Sequence, residues 1–132
     1  MRKLIVAAFQ SLDGVIQAPG GPSEDWTNGF QFGGWLVPLM DEEVGAEIGA
    51  LFSEPYDLLL GRKTYEIFAA HWPYHPEGEA DDGLIAKQFN AVTKYVCSRS
   101  GDVDTSWKNT TLLRDAAKEV AQLKQAEGPN LV

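Results

Sequence analysis

Leu58-Leu59-Leu60-Gly61-Arg62-Lys63-Thr64-Tyr65 is the stretch that decides how this chain folds. The leucine run reads as the end of a strand covered on both faces, since strands of parallel sheets carry continuous rather than alternating apolar residues. A glycine ends the run, and two cations and a threonine then open a segment with helical character. A strand that ends at a helix N-terminus offers free amide donors and positive charge to an anion. Lys94-Tyr95-Val96-Cys97-Ser98-Arg99 repeats the pattern, with a strand running out to a hydroxyl and a guanidinium. Two strand ends of this kind point to a phosphorylated nucleotide ahead of a peptide or a metal.

Outward from that stretch, Tyr56 to Leu60 reads as the whole strand and Lys63 to Ala70 as the helix after it. Upstream, Pro38 to Ser53 reads as a helix. Asp41, Glu42 and Glu43 sit in its first turn, where negative charge suits the helix dipole, and Met40, Val44, Ile48 and Leu51/Phe52 recur on one face. Glu54-Pro55 closes it, because a residue before proline is pushed out of the helical region. Leu4 to Phe9 is continuously apolar, like a strand covered on both faces, and runs toward a turn at Asp13-Gly14. Residues 17–34 combine Pro19, Gly20, Gly21, Pro22, Gly29, Gly33 and Gly34 with Trp26, Phe30 and Phe32. A ligand-facing loop and a loop pinned by its own aromatics fit that composition equally.

Downstream, Leu84 to Asn90 reads as a short helix, Lys94 to Ser98 and Thr110 to Leu113 as strands, and residues 114–126 as a helix stopped by Gly128-Pro129. Asn130-Leu131-Val132 opens another strand. The order β-loop-α-β-α-α-β-β-α-β predicts an α/β fold, a mainly parallel sheet with helices on both faces. We expect residues 1–132 to be a single domain that is C-terminally incomplete, a piece lacking its last strands.

The net charge of -8 argues against nonspecific nucleic-acid binding and against an anionic membrane surface. Its distribution is uneven. Residues 1–60 carry two cations and nine acids, and residues 61–132 carry nine cations and ten acids, so an anion is better tolerated near Arg62 and Arg99 than the total suggests. Cys97 is the only cysteine, which excludes an internal disulfide and a cysteine-rich zinc site. The apolar stretch after Met-Arg-Lys is too short to span a membrane, and no secretory cleavage pattern follows it, so a cytoplasmic protein is the default.

Common nucleotide signatures are missing: no G-x-G-x-x-G follows the first strand, and there is no Walker loop. Asp13 reads locally as a turn residue before glycine, and functionally as a carboxylate that holds a polar substrate or relays a proton. Pro73 separates His71 from His75, so no metal site is expected there. No Gly-x-Ser-x-Gly elbow supports hydrolase chemistry. From Trp26, Phe30 and Trp35, one or two rings could line an apolar slot beside a heterocycle.

Taken together, the Leu4–Ile16 segment with its Ser-Leu-Asp-Gly, the Leu-Leu-Leu-Gly-Arg-Lys-Thr-Tyr-Glu stretch and the Val-Cys-Ser-Arg strand end resemble the dihydrofolate-reductase-like superfamily. The nearest likeness is to the C-terminal reductase domain of the bacterial riboflavin-biosynthesis deaminase-reductase and its stand-alone relatives. The resemblance implies a three-layer α/β/α fold and NADPH bound at the ends of the sheet. Gly61, Arg62, Lys63 and Thr64 would line the pyrophosphate and the adenosine 2'-phosphate, and Ser98 and Arg99 would complete the 2'-phosphate site. Asp13 would lie near the nicotinamide and the substrate. The resemblance further implies reduction of a small heterocyclic or ribosylamino-pyrimidine-like substrate, a homodimer, and a glycine-containing turn after the strand that begins at Asn130. A dihydrofolate reductase and an NADP-binding protein without hydride transfer are the alternatives.

Overall fold

Residues Tyr56–Gly61 form β1 in the computed structural model, which describes residues 1–132 apart from the side chain of residue 81. Tyr56, Asp57, Leu58 and Leu60 are all buried, so consecutive positions are covered on both faces, as the leucine run predicts. Helix α2 (Arg62–His71) follows without a break and leads through a single 3-10 turn into helix α3 (Asp81–Ala91). Strands β2 (Lys94–Cys97) and β3 (Thr110–Leu113), helix α4 (Ala116–Gln125) and strand β4 (Asn130–Leu131) complete this part. The sheet order is β3-β2-β1-β4, and every neighbouring pair is parallel. This is the α/β architecture expected, a parallel sheet flanked by helices.

Parallel neighbours cannot be joined by a hairpin, so each connection must cross the sheet. Helices α2 and α3 link β1 to β2, an irregular segment over residues 98–109 links β2 to β3, and α4 returns the chain to β4 on the other side of β1. The strand order therefore reverses at β1. In open α/β sheets the crevice beyond the strand carboxyl ends at such a reversal is where ligands bind.

Two buried cations organise this sheet unit. The Arg2 guanidinium pairs with the Asp57 carboxylate, donates from Nε to the Pro129 carbonyl at 2.5 Å, and lies 5.6 Å from the Tyr95 ring centroid. The Lys94 side chain is fully buried, and its ammonium donates to the Phe89 and Asn90 carbonyls at 2.9 and 3.3 Å. A cation there sits at the negative end of α3, and the Trp107 ring lies 4.4 Å away on another side. Asn90 closes the network: its Oδ1 accepts from the Trp107 indole at 2.8 Å and its Nδ2 donates to Glu77 Oε1 at 3.0 Å. Desolvation, with a smaller push from Lys108, lowers the Lys94 pKa to about 8.

Leu4 to Phe9 departs from expectation. Only Leu4 bridges, to Leu131, fastened by Ile5 N donating to Leu131 O and Leu131 N to Lys3 O, both at 2.8 Å. Val6 is 87% exposed, not covered on both faces. Pairing is confined to residues 3–5, whose backbone groups meet Leu131, and residues 6–54 belong to the other compact unit.

Residues 6–54 form a second compact unit. Its helix α1 (Glu42–Leu51) is shorter than the predicted Pro38 to Ser53, because Pro38 lies in a separate 3-10 turn and Asp41 is the N-cap, its carboxylate accepting from Val44 N at 2.9 Å. The glycine-rich loop before it is pinned by its own hydrogen bonds. The Trp35 indole donates to Gln17 O at 3.0 Å, Gly34 N to Ala18 O at 2.8 Å, and Gln17 Nε2 to Thr27 O at 3.0 Å. Gly33 is required by close approach, since a Cβ there would lie 2.6 Å from the Gly21 carbonyl oxygen.

Candidate functional site

The parallel register of β1 and β2 sets Gly61 opposite Cys97, so both anion-type strand ends emerge side by side at one carboxyl edge. Gly61 is the N-cap of α2 with ordinary extended angles, φ -67° and ψ 156°, so its backbone does not demand glycine. What glycine provides is space. A Cβ at 61 would meet no atom within 4 Å, which leaves the approach to the first amides of α2 open. Gly61 as the N-cap has no side chain with which to cap these amides, whereas Asp41 caps α1 and Asp115 caps α4. Arg62, Lys63 and Thr64 are all exposed on this first turn.

Cations at a helix N-terminus oppose the dipole, which makes Arg62 and Lys63 a poor choice for helix stability alone. Arg62 meets Glu66 at 3.3 Å in a half-exposed pair one turn away. Such pairs are worth about 0–1 kcal/mol, so the guanidinium can exchange Glu66 for a doubly charged phosphate at little cost.

Ser98 is buried, its amide donating to Leu113 O at 2.9 Å and its Oγ lying 3.4 Å from Ser100 Oγ. Gly101 N donates back to Ser98 O at 3.2 Å, closing a turn over residues 98–101 that holds the exposed Arg99 at its first corner. Cys97, one residue before the turn, has its thiol pKa raised by burial and then by Glu119.

The sequence reading missed a cation at a third strand end on this edge. β3 pairs with β2 so that Leu113 stands opposite Cys97, which brings Arg114 to the same carboxyl edge as Gly61 and Ser98. Arg114 Nη1 donates to Ser100 O at 3.4 Å. The signal was present, since Leu112-Leu113-Arg114 is again a strand ending in a cation; what the sequence does not contain is the register that aligns the three ends.

Within the 6–54 unit, Asp13 sits in the predicted turn and accepts from Ser11 Oγ at 2.5 Å. Its neighbour Gly14 has φ +89° and donates its amide to Ser11 O at 2.9 Å. Trp26 is 61% exposed, Phe30 packs edge-on against Phe32 with centroids 5.8 Å apart, and Trp35 is half-buried through its bond to Gln17. A shallow groove of about 540 Å³ in this unit is lined by Phe9, Glu43, Val44, Ala46, Glu47 and Ile48, a set that includes none of those three rings. Among the described residues no helix is long and apolar enough to cross a membrane, and no three His, Cys, Asp or Glu side chains converge as metal ligands.

The sequence model of the family described as the RibD C-terminal domain matches residues 2–131. No curated protein matches the chain significantly. With nearly its whole length covered, the chain belongs to the RibD C-terminal domain family. It is accordingly an NADPH-dependent oxidoreductase domain of the riboflavin-biosynthesis type, a reductase of a small heterocyclic, pyrimidine-like substrate.

Proposed function

Given that family, we propose that this chain holds NADPH at the carboxyl edge of its sheet through Gly61, Arg62, Lys63, Thr64, Ser98 and Arg99, and reduces a ribosylamino-pyrimidine-like substrate. The observation that carries the reading is the β1–β2 register, which aligns two anion-type strand ends at one edge. The donor chemistry fits a dinucleotide: amides at a helix N-terminus suit a pyrophosphate, and forked guanidinium donors suit a terminal phosphate dianion. The residues are assigned by that chemistry. Gly61 and the Lys63 and Thr64 amides face the pyrophosphate, while Arg62, Ser98 and Arg99 take the adenosine 2'-phosphate.

When bound, a dihydronicotinamide supplies hydride to a carbonyl or imine carbon of the substrate, whose oxygen or nitrogen then takes a proton. Asp13 is the residue assigned to the substrate, holding a polar group or passing that proton, with Trp26, Phe30 and Trp35 as the apolar wall. The same reading takes the protein as a homodimer, which sedimentation velocity checks.

The test is a parallel titration with NADPH and NADH, followed by tryptophan quenching. Tighter binding of NADPH is expected, and Arg62→Ala should weaken NADPH far more than NADH. Equal weakening of the two would remove Arg62 from the 2'-phosphate site. Saturable NADPH binding without turnover of any pyrimidine or pterin substrate would favour a binding protein that transfers no hydride.

A further inference from the structure

Arg114 is the one strand-end cation at this edge that the dinucleotide reading leaves without a task. Its setting differs from that of Arg62, which meets Glu66 on its own helix. The guanidinium grips the 98–101 turn from outside through Ser100 O, and it does so directly over Gly101. A Cβ built at 101 would lie 2.5 Å from Arg114 Cζ and 2.9 Å from Nη1, inside any permitted contact. Gly101 also has φ +73°, a conformation that side-chain-bearing residues seldom adopt. Glycine at 101 therefore serves two ends at once. It lets the turn that carries Ser98 and Arg99 close, and it leaves the space in which a guanidinium can lie flat on that turn.

The bond to Ser100 O uses one of five guanidinium donors, and Arg114 is exposed on its outer side. A guanidinium held over the turn by one hydrogen bond, with its other donors facing outward, is placed to bind a phosphate.

We propose that Arg114 is a specificity-determining residue for the 2'-phosphate of NADPH, and that Gly101 is the positioning residue that seats it. The inference rests on the dinucleotide reading above and extends it to a third strand end. Ser98 and Arg99 present their donors from the turn itself, and Arg114 adds a donor from β3 while holding that turn in place.

The experiment is equilibrium binding of NADPH and of NADH to the full chain carrying Arg114→Ala, Arg114→Lys, Gly101→Ala and the double change Gly101→Ala/Arg114→Ala. Arg114→Ala should weaken NADPH about tenfold, the loss expected for one charge-assisted hydrogen bond, and NADH less than twofold. Arg114→Lys should retain part of the preference, because the charge remains while the fork is lost. Gly101→Ala should reproduce the Arg114→Ala loss, and the double variant should lose nothing further, since both changes remove the same seated guanidinium. Equal weakening of both dinucleotides, or additive losses in the double variant, would overturn the proposal. Far-UV circular dichroism separates misfolding from lost binding; if Gly101→Ala does not fold, the two Arg114 variants decide by themselves. Loss of the preference in Arg62→Ala together with full retention in Arg114→Ala would overturn this inference and leave the dinucleotide site standing. Absence of saturable NADPH binding to the unmodified chain would overturn both.

Discussion

The sheet unit and the 6–54 unit are held by different forces. In the sheet unit, Tyr65, Val96, Leu131 and the Lys94 side chain are all but fully sealed from water, and a ladder of parallel strands runs through them. In residues 6–54, Ala18 is the one hydrophobic residue that is buried, and Val6, Leu12, Ile16, Trp26, Phe32, Val37 and Leu39 are exposed. Order in that unit comes from short-range polar contacts: Glu24 accepting from the Gly20 and Gly21 amides at 2.7 and 3.0 Å, Gln17 bridging to Thr27, and Asp41 capping α1. Burial contributes about 25 cal/mol per Å2 of apolar surface, whereas each hydrogen bond contributes about 1 kcal/mol net. The consequence is a sheet whose register is fixed by burial and a second unit ordered mainly by local polar contacts.

The largest effect we expect is at Asp57→Ala. Removing the carboxylate leaves the buried Arg2 guanidinium unpaired, which costs about 3–5 kcal/mol. Urea unfolding should report that loss; a change under 1 kcal/mol would show that the sheet unit does not depend on the clasp between Arg2, β1 and the Pro129 carbonyl.

Next comes the pH dependence of Lys94. Its folded pKa of about 8 lies below the ordinary lysine value of about 10.4, so the native state binds fewer protons than the unfolded chain between those two pH values. Stability should therefore rise with pH from about 8 toward 10, by up to about 3 kcal/mol. Above pH 10 the slope should reverse, because burial raises the Tyr56 phenol and only the unfolded chain can ionise it. Lys94→Met should flatten the rising limb between pH 8 and 10. A rising limb that survives the substitution would assign it to another group.

Smaller effects should come from residues 6–54, and they sharpen the contrast. Glu24→Ala should cost about 1 kcal/mol, the worth of its turn hydrogen bonds. Phe32→Ser should lie within about 0.5 kcal/mol of no change, since Phe32 is exposed. Amide hydrogen exchange offers a direct comparison: amides of β1 and β2 should exchange through the most protected openings, and those of residues 17–35 through far easier local ones. Uniform protection across both regions would erase the distinction drawn between them.

The sequence reading follows the same division. Strands at 56–60, 94–98, 110–113 and 130–132 stand within a residue or two of the observed β1 to β4, because each is a short apolar run bounded by glycine, proline or charge. Helix α2 is read just as closely. Leu4 to Phe9 is where an apolar run misleads: its composition suits a covered strand, but only Leu4 bridges, to Leu131, and Val6 is exposed. Composition left the 17–34 loop open between two readings, since its pinning depends on Gln17 and Ala18 meeting Trp35 and Gly34 across the loop. Lys94 shows the same limit from the core. A lysine in a strand reads as an exposed position, and only the packing of α3 and Trp107 against β2 makes it a buried one.

By itself the sequence determined the parallel α/β class, the positions of β1 to β4 and most helices, and which residue types stand at the strand ends, because apolar periodicity and residue type are local properties. Tertiary structure alone decided that three strand ends share one edge, that Arg114 joins Arg62 and Arg99 there, and that the Arg114 guanidinium lies over Gly101. The physical reason is that strand register is fixed by burial summed over the whole sheet, and no single segment carries that sum.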